Sequence, residues 1–305
     1  MFLILLAAAT VQAAEPRPMF RIGSEHRLIE GVASDGRTIF VSSVIDRTVL
    51  ACRTSCRVFA RLPDPLHPLG LTWDSTRQRL WIAADCPPLP GFAKCDRGAL
   101  VGLDRSGRIR ERLIPEGESF HSGDVSSAGG NIFIGDAMNG AVYWLKPGAK
   151  QLGVLLPPKI GKSAQGSALD ASGQALIVAD YSQGVASINL ATGKRTLLLR
   201  EDGKALRGVD GLARCGDRYI GVFNGAQPNE LLSFAVKGDR ISVGEIYAGP
   251  ALPAPTQLAF HGGRLLIAGD GDWDKALKPA SEPHGPFPVR SLGLREICLP
   301  KGSSR

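Results

Sequence analysis

Hydrophobic and polar positions repeat along this chain in six similar units. Each unit has a short apolar strand, a turn with Gly or Asp, a second strand such as IFVSS or RLWIAAD, a polar turn and a third strand. Apolar runs of about four to eight residues, bounded by turn residues, are typical of β-strands. The pattern therefore predicts an all-β protein.

The spacing of the units indicates a β-propeller. Counted from the residue before the apolar core of each first strand, successive units begin 39, 54, 42, 45 and 46 residues apart. Periods in the forties with three or four strands each are typical of propeller blades. A fourth strand follows each of the first five units, for example CRVFARLP and KRTLLLRED, whereas the sixth ends after its third strand, SLGLREICLP. We therefore predict a six-bladed propeller, closed by an N-terminal strand in PMFRIGSEHRL that pairs with the last blade.

The N-terminus has the pattern of a secretory signal. The segment MFLILLAAATVQAA is apolar and ends in small residues, although no Lys or Arg precedes it. It is too short to remain as a membrane-spanning helix. We expect residues 1–14 to be removed, residues 15–305 to form a single propeller domain, and the protein to be periplasmic or secreted. A buried N-terminal strand is the alternative.

Six cysteines follow this segment, and an exported compartment permits disulfides. Local spacing favours the pairs Cys52–Cys56 and Cys86–Cys95. Cys215 and Cys298 either pair across adjacent repeats or stay free.

Charge and motifs exclude several classes of function. The formal net charge of +7 is spread along the chain, without a basic block interleaved with aromatic residues, so we expect no nucleic-acid partner. No later stretch is long and apolar enough to cross a membrane. The sequence also lacks the serine-hydrolase elbow, the zincin helix, the P-loop and the dinucleotide fingerprint.

Polar side chains are expected to meet at the mouth of the central channel. The first strand of each blade lines the channel, and the entry residues of these strands are Glu30, Leu69, Gly123, Gln165, Asp210 and Thr256. Two carboxylates around one volume repel each other unless a cation or buried donors compensate. A divalent ion is one solution because such ions bind carboxylate and amide oxygens. Hydrogen bonds from channel backbone amides are the other.

The units EGVASDGRTIFVSS, QGSALDASGQALIVAD and GVDGLA resemble blades of the SMP-30/gluconolactonase/LRE-like family, in the calcium-dependent phosphotriesterase superfamily. HPLGLTWD followed by RLWIAAD resembles a blade of the related strictosidine synthase-like proteins. The resemblance covers essentially the whole mature chain as a blade pattern. It implies a divalent metal ion bound by Glu30, Gln165 and Asp210, with calcium expected first and zinc, manganese or magnesium as alternatives. Gln165 stands where the family has Asn.

The entry to the third blade departs further from the family. The family's sugar-lactone enzymes have Arg-x-Asn-Asp there, whereas this chain has His121-Ser122-Gly123-Asp124, which argues against gluconolactone as the substrate. By resemblance, Asp124 is expected to orient water or substrate. His121 is either a base or substrate contact or a loop histidine.

Other residues near the mouth have structural explanations. Loops at residues 86–98 and 270–288 are expected on one face, with Trp273 as a wall of the ligand site. Four aspartates that follow second strands are expected to cap turns: Asp46, Asp85, Asp136 and Asp180.

Two functions follow from these patterns. The first is an exported metal-dependent hydrolase of a lactone or related ester, in which Asp210 is both metal ligand and proton-transfer group. The second is a non-catalytic propeller that binds a small molecule or a protein partner at the channel mouth. Metal content and dependence of turnover on Asp210 separate the two.

Overall fold

The computed structural model describes residues 15–117, 119–269, 273–277 and 287–298. The predicted signal segment and most of the 270–288 loop lie outside these residues. Nearly all described elements are β-strands, and they form six sheets. The predicted six-bladed all-β propeller is therefore confirmed.

The strands follow one another blade by blade. The first strand, β1 (Arg17–Ile22), precedes the first blade. Blades one to three contain β2 (Ile29–Ser34), β3 (Ile39–Ser43), β4 (Thr48–Cys52), β5 (Cys56–Arg61), β6 (His67–Asp74), β7 (Arg79–Asp85), β8 (Ala99–Leu103), β9 (Ile109–Leu113), β10 (Ser122–Ala128), β11 (Asn131–Asp136), β12 (Val142–Leu145) and β13 (Gly153–Leu156).

The second half of the chain continues in the same way. Its elements are β14 (Ala164–Leu169), β15 (Ala175–Asp180), β16 (Gly184–Asn189), β17 (Arg195–Leu197), β18 (Leu199–Arg200), β19 (Val209–Cys215), β20 (Arg218–Phe223), β21 (Glu230–Lys237), β22 (Arg240–Ala248), β23 (Pro255–His261), β24 (Arg264–Gly269), the short helix α1 (Trp273–Ala276), β25 (Phe287–Gly293) and the short helix α2 (Leu294–Ile297).

The last blade combines both ends of the described chain. Its strand order is β1-β25-β24-β23, and β1 pairs antiparallel with β25, with Arg17 opposite Ser291. The N-terminal strand thus lies where the sequence placed it. The prediction of one continuous strand through SLGLREICLP is wrong in its second half, because the strand ends at Gly293 and α2 follows.

The fourth strand predicted in KRTLLLRED divides between two blades. β17 stays on the fourth blade, whereas β18 pairs in parallel with β22 of the fifth. Leu198, between them, is fully buried in the core that these blades share. Burial of this side chain holds the chain at the point where it crosses between the blades.

The hydrophobic core of the described residues has seven clusters. Six lie between neighbouring blades, one for each pair, and the seventh includes Leu28, Val44, Leu69 and Leu89. Successive side chains of a strand point to opposite faces of its sheet. In β7, Leu80 and Ile82 pack toward the first blade, whereas Trp81 and Ala83 pack toward the third. Both faces of this strand are buried, which explains why its sequence is a continuous apolar run.

Three disulfides connect the six cysteines. The two predicted local pairs, Cys52–Cys56 and Cys86–Cys95, are both present. The third, Cys215–Cys298, joins the end of β19 in the fifth blade to the residue after α2. It links positions 83 residues apart and so ties the end of the described chain to a neighbouring blade.

In the described part of the chain, no helix has the length and apolar character needed to cross a bilayer.

Candidate functional site

Every blade has a β-bulge at the same place in its first strand. In the first blade, Ile29 pairs with Ser43 and Val32 with Val41, so Glu30 and Gly31 together face the single residue Ser42. The same two-against-one arrangement occurs in all six blades, at Glu30–Gly31, Leu69–Gly70, Gly123–Asp124, Gln165–Gly166, Asp210–Gly211 and Thr256–Gln257. A bulge redirects side chains that would otherwise alternate between the two sheet faces. Glu30 is therefore turned out of the core and toward the axis of the ring.

The first residues of the six bulges line one open cavity of about 890 Å³, here called the funnel. All six predicted entry residues are in its wall. Further lining residues come from loops around the mouth: Asp85, Cys86, Pro87, Pro88, Lys94, Cys95, His121, Ser122, Ala137, Met138, Ser163, Tyr181, Asn224, Gln227, Asn229, Ala254 and Trp273. Lys94 is the sole lysine or arginine among these described residues. The funnel therefore carries little fixed positive charge to balance its carboxylates.

The second residues of the bulges form a narrow throat below the funnel. Four of them are glycines, and a Cβ atom on Gly70 would overlap the carboxylate of Asp124. The other two are Asp124 and Gln257. Gln257 Nε2 donates to Asp124 Oδ1, and Gln257 Oε1 accepts from the backbone N–H groups of Val32 at 2.7 Å and Leu71 at 3.0 Å. The Gln257 amide thus joins four blades across the channel.

Asp124 lies one level below the funnel wall, because the bulge places it in the throat. There its Oδ1 also accepts from Val125 N at 2.7 Å. Its carboxyl lines a separate cavity of about 340 Å³ on the opposite side of the throat. The expected role of Asp124 in orienting water or substrate stays a prediction.

Two carboxylates remain at the funnel floor, each held by one hydrogen bond. Glu30 Oε2 accepts from Trp273 Nε1 at 2.9 Å, and Asp210 Oδ2 accepts from Asn224 Nδ2 at 2.9 Å. Burial, together with the charge of Asp210, raises the pKa of Glu30 to about 8. Burial also raises the pKa of Asp210 to about 6. The site therefore concentrates negative charge that its own donors only partly neutralise.

The free oxygens of this cluster fit a hard divalent cation. In the described part of the chain, no donor reaches the second carboxylate oxygen of Glu30 or of Asp210. Gln165 donates through Nε2 to Ser163 Oγ at 3.3 Å, which leaves its carbonyl oxygen available. Two carboxylates and one amide oxygen are a ligand set that calcium, magnesium and manganese accept. The alternative prediction, that channel backbone amides satisfy these carboxylates, has no matching hydrogen bond among the described residues.

The two departures from the family pattern are coupled in space. A Cβ atom on Gly123 would lie 2.6 Å from Gln165 Oε1. Gln165, one methylene longer than the family's Asn, therefore occupies space that Gly123 leaves open. The glycine makes room for the longer amide.

One other cluster has metal-ligand character. Asp85, Cys86 and Cys95 place their ligand atoms within 4.8 Å of one another, and no other group of three or more His, Cys, Asp or Glu does so among the described residues. Both cysteines are in a disulfide, so their sulfurs are not thiolate ligands.

His121 and Trp273 line the funnel as predicted residues of the mouth. His121 Nδ1 lies 3.3 Å from Asp85 Oδ2. The sequence interpretation missed Asn224 and Gln257. Asn224 directly follows the second strand of its blade, one residue beyond the position that Asp85, Asp136 and Asp180 occupy in theirs. Gln257 occupies a position that is Gly in four blades. These two positions were the available signals.

The raised pKa values predict how stability depends on pH. Folding raises the pKa of Glu30 from 4.5 to about 8, so between these values the folded state binds more protons than the unfolded state. The stability of the metal-free protein should therefore fall as pH rises from 5 to 8, by roughly 5 °C in melting temperature. Calcium should raise the melting temperature more at pH 8 than at pH 5, because carboxylates bind metal in their ionised form. Thermal unfolding with chelator, with calcium, and with potassium at matched ionic strength measures both effects, and an equal calcium effect at both pH values would contradict them.

The fold is shared with propellers of several described activities. A gluconolactonase from Xanthomonas campestris is similar with a TM-score of 0.62 and 18% identity, over 95% of this chain and 99% of that one. A second structure, of a gluconolactonase candidate, has a TM-score of 0.62 and 16% identity, over 92% of each chain. The PQQ-bound aldose sugar dehydrogenase from Streptomyces coelicolor has a TM-score of 0.61 and 12% identity, over 92% of this chain and 98% of that one.

At such identities these likenesses show the fold alone, which is a six-bladed propeller. No protein-family model and no curated protein sequence matches this chain.

Proposed function

We propose that this protein is an exported, divalent-metal-dependent hydrolase of a lactone or a related ester, of the SMP-30/gluconolactonase-like type. The observation that carries the proposal is the pair of carboxylates at the funnel floor, Glu30 and Asp210, each with a free oxygen, in a cavity that Gln165 also lines. The likeness in fold to gluconolactonases supports the reaction class. The three disulfides and the N-terminal segment support export.

Glu30, Gln165 and Asp210 would hold the ion, with calcium expected first and zinc, manganese or magnesium as alternatives. When bound, such an ion polarises a carbonyl group and lowers the pKa of a bound water. Trp273 and Asn224 fix the orientation of the two carboxylates through their hydrogen bonds. Asp210 and His121 are the two candidate proton-transfer groups that border the funnel.

The charge of the funnel favours an uncharged substrate. Its floor is acidic, and Lys94 is the lone lysine or arginine in the described wall. A neutral lactone or ester enters such a site without the electrostatic penalty that an anion meets. Aromatic rings of Tyr181 and Trp273 in the wall offer apolar contact surface.

Metal content and turnover test the proposal together. Protein purified after export is stripped with chelator, dialysed against calcium, manganese, magnesium or zinc, and analysed for metal. The same samples are assayed on neutral γ- and δ-lactones and on aryl esters. We expect about one divalent ion per chain and turnover that chelation removes and the ion restores. Gln165→Leu should weaken ion binding, whereas the control Gln174→Leu, on an exposed turn, should not.

Two results would contradict the proposal. The first is a protein that takes up none of these ions, and the second is turnover that persists after complete chelation. A metal-free protein that still binds a ligand in the funnel would instead support the non-catalytic propeller.

A further inference from the structure

Two of the four aspartates predicted to cap turns do not accept hydrogen bonds from the second and third residues that follow them. The Asp46 carboxylate accepts from Arg27 N and Ser43 Oγ instead, and Asp85 is the second. The carboxylates of Asp136 and Asp180 accept from the backbone N–H groups of the second and third residues that follow them, at 2.8 to 3.2 Å. Asp85 is followed at the same two positions by Pro87 and Pro88. Proline has no N–H group, so these residues cannot donate. The local sequence therefore leaves the Asp85 carboxylate without its capping bonds.

Asp85 instead faces His121. Its Oδ2 lies 3.3 Å from His121 Nδ1, and its Oδ1 is buried without a hydrogen-bond partner in the described part of the chain. The residue is 7% exposed. Burial raises the pKa of Asp85 to about 6, although the Cys86 backbone and His121 partly offset the effect. A buried carboxylate with one unbonded oxygen destabilises a fold, so turn capping does not account for this residue.

His121 contacts this carboxylate and lines the funnel, as Asp85 does. The His121 side chain is 29% exposed. Because the Asp85 carboxylate accepts a hydrogen bond, the contact assigns the ring proton to Nδ1. Nε2 has no hydrogen-bond partner among the described residues and retains a free lone pair. The other charged groups near this ring are Asp136, which accepts from the His121 backbone N–H at 3.2 Å, and Lys94 in the same wall.

We propose that Asp85 is the positioning residue of an Asp85–His121 dyad, and that His121 transfers protons for a lactone or ester bound above Glu30 and Asp210. This inference rests on the proposed function and adds to it the identity of the proton-transfer group. Asp210 is less suited to that role, because one of its oxygens accepts from Asn224 and the other is assigned to the proposed ion site.

The dyad gives a balanced hydrolysis. His121 Nε2 takes a proton from water as the water oxygen bonds to the carbonyl carbon. The carbon–oxygen bond to the leaving alkoxide then breaks, and Nε2–H returns the proton to that alkoxide. The products are a hydroxy acid from a lactone, or an acid and an alcohol from an ester. Asp85 stabilises the imidazolium formed between the two steps.

Kinetics of three variants tests this role. Asp85→Asn and His121→Gln should each lower kcat by roughly 10²-fold, with KM and metal content nearly unchanged. The double variant should be no slower than His121→Gln alone, since Asp85 acts through His121. Asp85→Asn should also displace the acid limb of the pH–rate profile. The matched control is Asp180→Asn, which removes a true turn cap and should lower the melting temperature without changing the profile.

The tautomer of the His121 ring, measured by NMR, tests the dyad independently of turnover. In ¹H–¹⁵N NMR spectra of the histidine rings, the His121 signals are identified by their loss in His121→Gln. We expect the Nδ1–H tautomer in the wild type at pH 8 and its loss in Asp85→Asn. An Nε2–H tautomer in the wild type, or a spectrum unaffected by Asp85→Asn, would overturn the dyad.

The two measurements separate the possible failures. Turnover that depends on metal but not on Asp85 or His121 would refute the dyad and leave the proposed function standing. A wild-type protein that hydrolyses no lactone or ester would refute the proposed function and the proton-transfer role together, even if the NMR tautomer matched.

Discussion

Replacing Glu30 with glutamine is expected to make the metal-free protein more stable at pH 8 while it removes metal binding and turnover. Glu30 lies beside Asp210 on the funnel floor, and burial and this second charge raise its pKa to about 8. At and above that pH the folded protein holds like charges that the unfolded chain separates. Glutamine keeps the shape and an oxygen that can accept from Trp273, but it removes one charge.

The expected gain is on the order of 2 kcal/mol, or roughly 4 °C in melting temperature, after allowance for partial solvent screening. At pH 5 the gain should largely vanish, because Glu30 is then protonated in the folded protein. Loss of a carboxylate ligand should lower turnover by about 10³-fold or more, since the ion supplies several kcal/mol of transition-state stabilisation. Asp210→Asn should behave in the same way on turnover and metal content.

Thermal unfolding with chelator, metal analysis and lactone turnover measure the three effects on one preparation. Glu245→Gln is the matched control, because Glu245 is exposed on β22 and is not among the residues that line the funnel. It should change none of the three. A Glu30→Gln protein that is destabilised in chelator and keeps its metal would show that Glu30 is a structural channel residue. The expected result, a gain in stability with a loss of metal and turnover, is typical of residues retained for function.

The sequence predicts the blades well because both faces of most strands are buried. Runs such as RLWIAAD strongly indicate a strand, because their alternate side chains pack against the two neighbouring blades. The ends of the strands were less predictable. The LREI segment after β25 has the apolar content of a strand, and its helical turn depends on where the chain leaves the sheet.

From the sequence, the residues of the funnel floor could be predicted, whereas those of the throat could not. Repeat alignment identified Glu30 and Asp210 as facing the axis, and both line the funnel. The same alignment placed Gly123 beside them, and Asp124 was a candidate through the family resemblance alone. A two-against-one bulge is not visible in a single sequence. The bulge separates adjacent residues into two levels and sends Asp124 to the throat. Asp85 is the opposite case. The two prolines that follow it are visible in the sequence, but their effect on turn capping becomes clear only when this turn is compared with the equivalent turns in the structure.

Replacing Gln257 with leucine is the change expected to destabilise the fold most. Gln257 Oε1 accepts from Val32 and Leu71, while its Nε2 donates to Asp124. Leucine matches the volume approximately, but it leaves two backbone N–H groups in the throat without their acceptor and removes one of the two donors to the Asp124 carboxylate. Each unsatisfied buried group costs about 1–3 kcal/mol, so the total is roughly 4 kcal/mol, or about 10 °C in melting temperature.

Thermal and denaturant unfolding in chelator measure this effect, with Gln174→Leu as the control for the loss of an amide at an exposed position. Adding Asp124→Asn to Gln257→Leu should cost less than the sum of the two single changes, because the Asp124 carboxylate has already lost the Gln257 donor. A melting temperature equal to that of the control would show that the throat network contributes nothing to stability. Below the unfolding transition, Gln257→Leu should keep its metal, because the ligands lie on the funnel floor above the throat. Gln257→Leu and Glu30→Gln would then affect stability and metal binding in opposite ways, although the two residues are separated by one level of the same channel.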